Sequence, residues 1–147
     1  MAEIRFLIGA GIVSSAMLGG CTSVAVKPVD IEAHRIVHVC ISENTKPIVN
    51  DFVDVLQDGL ERHAISSELI RGTAPEHCEY VMRYTALQSW DFDAYLSHAE
   101  LWLDQRGKRI GHATYHLRGK GGFSLMKWQG TRAKMDPVID ELLGARS

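Results

Sequence analysis

The chain has 147 residues, of which 46% are hydrophobic and 23% charged, and its formal net charge at pH 7 is −2. This length predicts one domain with a modest core. The near-neutral charge argues against a nucleic-acid partner, because such a partner needs a basic surface.

An apolar run near the N-terminus ends at a cysteine. Phe6 to Leu18 contains no charged residue, and thirteen helical residues span about 20 Å, against the roughly 30 Å of a bilayer hydrocarbon core. The run is therefore too short for a comfortable transmembrane helix and has the length of the apolar part of a secretory signal peptide. An ordinary N-terminal strand or core helix is the alternative.

The segment Leu18-Gly19-Gly20-Cys21 resembles the lipobox of bacterial lipoprotein precursors. The resemblance implies that residues 1–20 are a signal peptide and that Cys21 carries acyl chains, which together anchor a protein stably to a membrane. Because Thr22 rather than Asp follows the cysteine, the resemblance implies the periplasmic face of the outer membrane if the source is Gram-negative. A plain secreted protein is the other alternative, but it would not need Cys21.

The first half of the mature chain predicts a strand, a long helix and two further strands. Residues 22–33 are expected to be a tether, or else an early edge strand. Gly59, inside the predicted helix, is expected to mark a close approach to the sheet. The predicted elements are a strand over 35–41, a helix over 47–63, a strand over 66–71, a loop over 72–77 and a strand over 78–88.

The second half predicts a hairpin, a further strand and a short helix. The hairpin pairs residues 95–103 with 109–117 around a type I turn with a Gly bulge at 104–108. This turn sets Glu100 against His112 and Trp102 against Ile110. Residues 119–122 are a predicted turn and 123–129 a strand. Asp136-Pro137 is expected to open the last helix and Gly144 to end it.

These elements predict an α+β fold: a mostly antiparallel sheet with one long helix and a short C-terminal helix packed on one face. Residues 34–147 would form a single periplasmic domain. Once Cys21 is lipidated, Cys40 and Cys78 remain as an even pair in an oxidising compartment. A disulfide between them would stabilise the fold by about 4 kcal/mol. If the two cysteines lie on opposite sheet faces, the disulfide requires Cys78 to precede its strand. A redox pair is the disfavoured alternative, since no Cys-x-x-Cys motif is present.

Two groups of residues are candidate binding sites. Trp90, Asp91 and Tyr95 fall in a break between strands, where aromatic side chains can bind a partner protein or simply close the end of a core. His98, His112 and His116 share one hairpin face with Glu100 and could ligate zinc. A solvated sheet face is the favoured interpretation of the histidines, because their spacing matches no metal motif. We therefore predict no cofactor and no metal.

The sequence predicts no catalytic residue. It lacks a Gly-x-Ser-x-Gly elbow, and His38 beside Cys40 implies no cleft for a substrate. Several short motifs of the mature chain carry a resemblance to a known family: Cys78-x-Tyr80, Arg83-Tyr84-Thr85-Ala86, Trp90-Asp91, Ala99-Glu100-Leu101, Ile110-Gly111-x-Ala113-x-Tyr115, Lys127-Trp128 and Pro137 to Leu143. With these motifs the chain resembles a family of small bacterial lipoproteins without an assigned activity, and the resemblance supplies no catalytic residues either. The expected function is a non-enzymatic, lipid-anchored envelope protein that binds a partner or supports assembly, with a metal-binding lipoprotein as the alternative.

Overall fold

The structure is a computed structural model that describes residues 22–46, 49–118 and 125–144. The predicted signal peptide and Cys21 lie outside these residues. Within them the chain forms six strands and two α-helices. The strands are β1 (Thr22–Lys27), β2 (His38–Ser42), β3 (Ser66–Ile70), β4 (Tyr80–Trp90), β5 (Ala94–Gln105) and β6 (Lys108–Leu117), and the helices are α1 (Phe52–Arg62) and α2 (Thr131–Leu142).

The six strands form one mixed sheet in the order β1-β6-β5-β4-β2-β3. The pairs β1–β6, β5–β6 and β4–β5 are antiparallel, whereas β2 runs parallel to both β3 and β4. The α+β class is confirmed, but the sheet is mixed and not mostly antiparallel as expected, because β2 is parallel to both of its neighbours. The reason is α1, which follows β2 and returns the chain to the same end of the sheet, so that the next strand must run parallel.

The two helices have nearly equal lengths of 11 and 12 residues, so the prediction of one long and one short helix was wrong. α1 begins at Phe52, later than predicted, while Pro47 and Ile48 lie outside the described residues. α2 begins at Thr131, and Pro137 lies inside it. The turn of α2 that precedes Pro137 contains Met135, which is fully buried, and this burial stabilises the helix before the proline. Gly144 ends the helix region with a φ of 79°, as predicted.

Two segments differ from the predicted secondary structure. Thr22–Lys27, expected as a tether or an edge strand, forms the edge strand β1 on β6, so the folded region begins earlier than residue 34. Leu125–Trp128 forms a 3₁₀ helix rather than part of a strand; Phe123 and Ser124 lie outside the described residues. The buried Lys127 carbonyl accepts a hydrogen bond from Lys134 Nζ in α2 at 2.9 Å, so this segment packs with α2 instead of joining the sheet.

The β5–β6 hairpin has a tighter turn than predicted. Arg106 and Gly107 form a two-residue turn with φ angles of 48° and 81°, the signs that a type I′ turn requires. Trp102 therefore pairs with His112 rather than Ile110, a shift of two residues that includes an irregularity after Leu103. Because a two-residue shift preserves the alternation of a strand, His98, Glu100 and His112 still share one face.

Two glycines lie at close contacts in the core, one between β6 and α2 and the other between α1 and α2. A Cβ on Gly111 of β6 would overlap Val29 Cγ2 and lie 3.1 Å from Leu142 Cδ1. A Cβ on Gly59 of α1 would lie 2.8 Å from Ile139 Cγ2, so this glycine allows a close approach to α2 and not, as predicted, to the sheet. These contacts fix both helices on one sheet face and leave the other face open.

We expect Gly111→Ala to lower the free energy of unfolding by about 1–3 kcal/mol, because the added methyl group has no free volume in the core. Urea denaturation measures the loss. Gly130→Ala is the matched control, since its Cβ would meet no atom within 4 Å. Equal stability of the two variants would show that the contact between β6, Val29 and α2 is looser than described.

Candidate functional site

The candidate binding and metal-ligating residues lie at the two ends and in the middle of the open sheet face. We call the end that holds the β4–β5 turn the tip end, and the end that holds the β5–β6 turn the far end. Trp90 pairs with Ala94 at the tip end, and Gln105 pairs with Lys108 at the far end. Thr22, the first described residue, pairs with Leu117 and therefore lies at the tip end.

Two aromatic side chains of the β4–β5 turn are exposed to solvent. Trp90 is 74% exposed and Phe92 is 92% exposed. We call this pair the aromatic tip. Two large apolar side chains exposed within three residues of one another are typical of a surface that contacts another molecule. Of the predicted binding residues, Trp90 is thus available for contact with another molecule.

The other two predicted binding residues hold the turn in place. Asp91 forms an ion pair with Lys127, and the hydrogen bond between them raises the pKa of Lys127. Lys127 Nζ also lies 4.9 Å from the centre of the Tyr95 ring, which meets the Trp128 ring edge-on at 6.1 Å. These contacts attach the β4–β5 turn to the 3₁₀ helix and so stabilise the conformation of the turn.

The histidines of the hairpin face surround one carboxylate. His98 Nε2 lies 3.1 Å from Glu100 Oε1, and His112 Nε2 lies 3.3 Å from Glu100 Oε2. Burial alone would raise the pKa of Glu100, but the hydrogen bonds from the two histidines outweigh it and lower this pKa. The His116 ring meets the His98 ring edge-on at 5.5 Å. Because His98 and His112 approach different oxygens, they flank the carboxylate and do not converge on one point.

Cys40 and Cys78 form a disulfide with a Cα–Cα distance of 5.7 Å, which confirms the predicted pair. Cys40 lies in β2, whereas Cys78 lies in the loop that precedes β4 and not in the strand predicted over 78–88. This is the placement that a bond between opposite sheet faces requires. Cys40 is fully buried, whereas Cys78 is 8% exposed. Cys78 borders an open groove that also includes His77, Arg83, Asp104 and Arg106.

Three polar side chains that the sequence did not single out as a site surround this disulfide. Glu68 Oε1 lies 2.6 Å from His77 Nε2, 3.1 Å from His38 Nε2 and 3.4 Å from Cys40 Sγ. Hydrogen bonds from His77 and then from His38 lower the pKa of Glu68. The Ser66 hydroxyl contacts His38 Nδ1 at 2.8 Å and fixes the ring.

The parallel pairing of β2 with β3 creates this arrangement, because it sets Cys40 directly against Glu68. Among the described residues, Cys40, Glu68, His77 and Cys78 form the one set of at least three potential metal ligands whose atoms all lie within 4.8 Å of one another. We call these four residues the disulfide cluster. The alternation of His38 and Cys40 was visible in the sequence, but no local signal indicated which strand would lie beside them.

In the described part of the chain, no helix has the length and apolar character needed to cross a membrane. No protein-family model matches the chain, and no curated protein matches it. The fold is similar to that of two solved structures of the PelC dodecamer from Paraburkholderia phytofirmans. One, an L103M variant, has 13% identity, a TM-score of 0.55 and coverage of 84% of this chain and 95% of that chain. The other has 14% identity, a TM-score of 0.54 and coverage of 86% and 99%. At these identities the likeness establishes a shared fold.

We expect reduction of the Cys40–Cys78 disulfide to lower the free energy of unfolding by about 2–4 kcal/mol, because the unfolded chain regains the freedom of the closed loop. Urea denaturation with and without dithiothreitol measures the difference. A Cys40→Ala, Cys78→Ala double variant should show no response to the reductant. A wild-type protein that responds no more than this variant would mean that the bond does not form in solution.

Proposed function

We propose that this chain is a non-enzymatic lipoprotein, anchored through Cys21 to the periplasmic face of the outer membrane, whose aromatic tip contacts the surface of that membrane. The lipobox resemblance supports the anchor, and a disulfide suits an oxidising envelope compartment. The observation that carries the proposal is the position of the aromatic tip, at the same end of the sheet as the start of β1.

The strand register supports this common position. Thr22, the residue after Cys21, pairs with Leu117 at the end of β6. The neighbouring His116 pairs with His98 of β5, which in turn pairs with Leu87 of β4. From Leu87 the β4–β5 hairpin continues in the same direction to Trp90. A lipid on Cys21 would therefore hold this end of the sheet toward the membrane.

The chemistry of the tip suits a membrane surface. Tryptophan is enriched at the boundary between lipid and water, where its ring is partly in each phase. Contact of Trp90 and Phe92 with this layer would remove from water the two most exposed large apolar side chains among the described residues. Asp91, between these two side chains in the sequence, is neutralised by its ion pair with Lys127, which lowers the cost of bringing this carboxylate to an anionic lipid surface.

The anchor itself is tested by the intact mass of the full chain extracted from membranes. We expect the loss of residues 1–20 together with the added mass of a diacylglycerol and an amide-linked acyl chain. Cys21→Ser is the control, and it should carry no acyl mass. A full-length, unmodified wild-type mass would reject the anchor.

The tip is tested with the extracted protein in vesicles that contain lipids brominated near the headgroup, because bromine quenches tryptophan fluorescence at short range. We expect quenching of the wild type and a large decrease of it in Trp90→Phe, with a remainder from Trp128, which is 45% exposed and packs against Tyr95 beside the tip. The matched control is Trp102→Phe, which removes a tryptophan from the middle of the sheet face and should retain the quenching. Equal quenching of both variants, or none in the wild type, would mean that the tip does not meet the membrane and would leave a protein partner as its occupant.

A further inference from the structure

We propose that the disulfide cluster is a redox-controlled zinc site: reduction of the Cys40–Cys78 bond by a dithiol allows Cys40, Cys78, His77 and Glu68 to bind one Zn²⁺. The inference is independent of the lipid anchor and of the aromatic tip. It rests on the convergence of four ligand side chains on one point, on the oxidation state of the two sulfurs and on the access that the groove provides.

The first argument is distance. Zinc binds cysteine sulfur at about 2.3 Å and histidine nitrogen or carboxylate oxygen at about 2.0–2.2 Å, so two ligands of one ion cannot be more than about 4.6 Å apart. The four ligand atoms of the disulfide cluster already lie within 4.8 Å of one another. The two sulfurs, bonded to each other in the oxidised protein, would be about 3.8 Å apart in a tetrahedral site, and their Cα–Cα distance of 5.7 Å allows this by rotation of the side chains after reduction.

The second argument is the support of the ligands. Cys40 and Glu68 are directly paired on adjacent strands, which fixes their Cα positions. His38 lies 3.1 Å from Glu68 Oε1 and is itself held by Ser66. Groups that orient metal ligands in this way commonly change metal affinity 10- to 100-fold when they are removed. His77 lies in the exposed loop before β4, and its Nε2 is already 2.6 Å from Glu68 Oε1.

The third argument is the oxidation state of the sulfurs. A disulfide sulfur is not a thiolate, and thiolate is the form of cysteine that binds metal. In the oxidised protein the cluster therefore offers only His77 and Glu68, with His38 beside them. Reduction adds two thiols, and the four ligands become a sulfur, nitrogen and oxygen set of the type that favours tetrahedral zinc.

The reaction balances with a dithiol as the electron source. One thiolate of the dithiol attacks Cys78 Sγ, which borders the groove, and the Cys40–Cys78 bond breaks with Cys40 as the leaving thiolate. The second thiol of the reductant then attacks the mixed disulfide and releases Cys78, so the reductant leaves as its own disulfide. The protein has gained two electrons and two protons, and zinc binding releases these two thiol protons to solvent.

The test uses the full chain, purified in detergent, either oxidised or reduced with dithiothreitol and then freed of reductant without oxygen. After dialysis against Zn²⁺, we expect about one zinc per reduced chain and close to none per oxidised chain. With Co²⁺ as a probe, only the reduced protein should show the absorption bands of a tetrahedral cobalt–thiolate site. Stoichiometric zinc in the oxidised protein, or none in a reduced protein that remains folded, would overturn the proposal.

His77→Ala separates a ligand from a structural role, because the side chain is 61% exposed and its loss should leave the fold intact. We expect this variant to weaken zinc binding by the reduced protein by more than about 100-fold, which is the upper range for groups that only orient a ligand. His98→Ala, a histidine of the same sheet face, is the matched control and should bind zinc like the wild type. Equal affinities in the two variants would also overturn the proposal.

Discussion

The parallel pairing of β2 between β3 and β4 is the constraint on which most of the structure depends. β2 is short, but its residues from Val39 to Ile41 are completely buried, and it joins the β3 edge to the antiparallel strands. The crossover through α1 is what makes the pairing parallel, and the packing of Phe52 and Leu56 of α1 into the core keeps that helix over the sheet. Without this pairing the loop before β4 would not bring Cys78 to Cys40.

The disulfide and its polar neighbours follow from the same constraint. The two faces of β2 have different surroundings: Val39 and Ile41 enter the main core, whereas Cys40 points to the open face and packs with Ile70, Cys78 and Val81. A buried sulfur on an otherwise solvated face needs a cover, and the disulfide to the loop provides it. Glu68 and the histidines then stand at the rim of this small apolar patch, where water still reaches them.

The sequence predicted the strands and the core face well, because alternation of apolar residues reports directly which side chains are buried. Near the C-terminus, for example, the apolar residues Val138, Ile139, Leu142 and Leu143 are all buried. The register of the β5–β6 hairpin was not predictable in the same way, since it depends on a positive φ at Arg106, a residue type that gives no warning of it. Val39, Cys40 and Ile41 form a continuous apolar run, which is typical of strands that are buried on both faces in parallel sheets. What composition does not encode is the partner of that strand, and the disulfide cluster depends on the partner.

The length of the sheet separates the two regions that we assign to different roles. β5 has 12 residues, and at about 3.3 Å per residue it spans roughly 40 Å. Cys40 pairs at the level of Val81, close to the beginning of β4, whereas the aromatic tip begins at Trp90, the last residue of that strand. A chain held to a membrane by its tip end would therefore place the disulfide cluster tens of ångströms away in the aqueous compartment. There a soluble dithiol and a metal ion could both reach it, while the lipid surface could not.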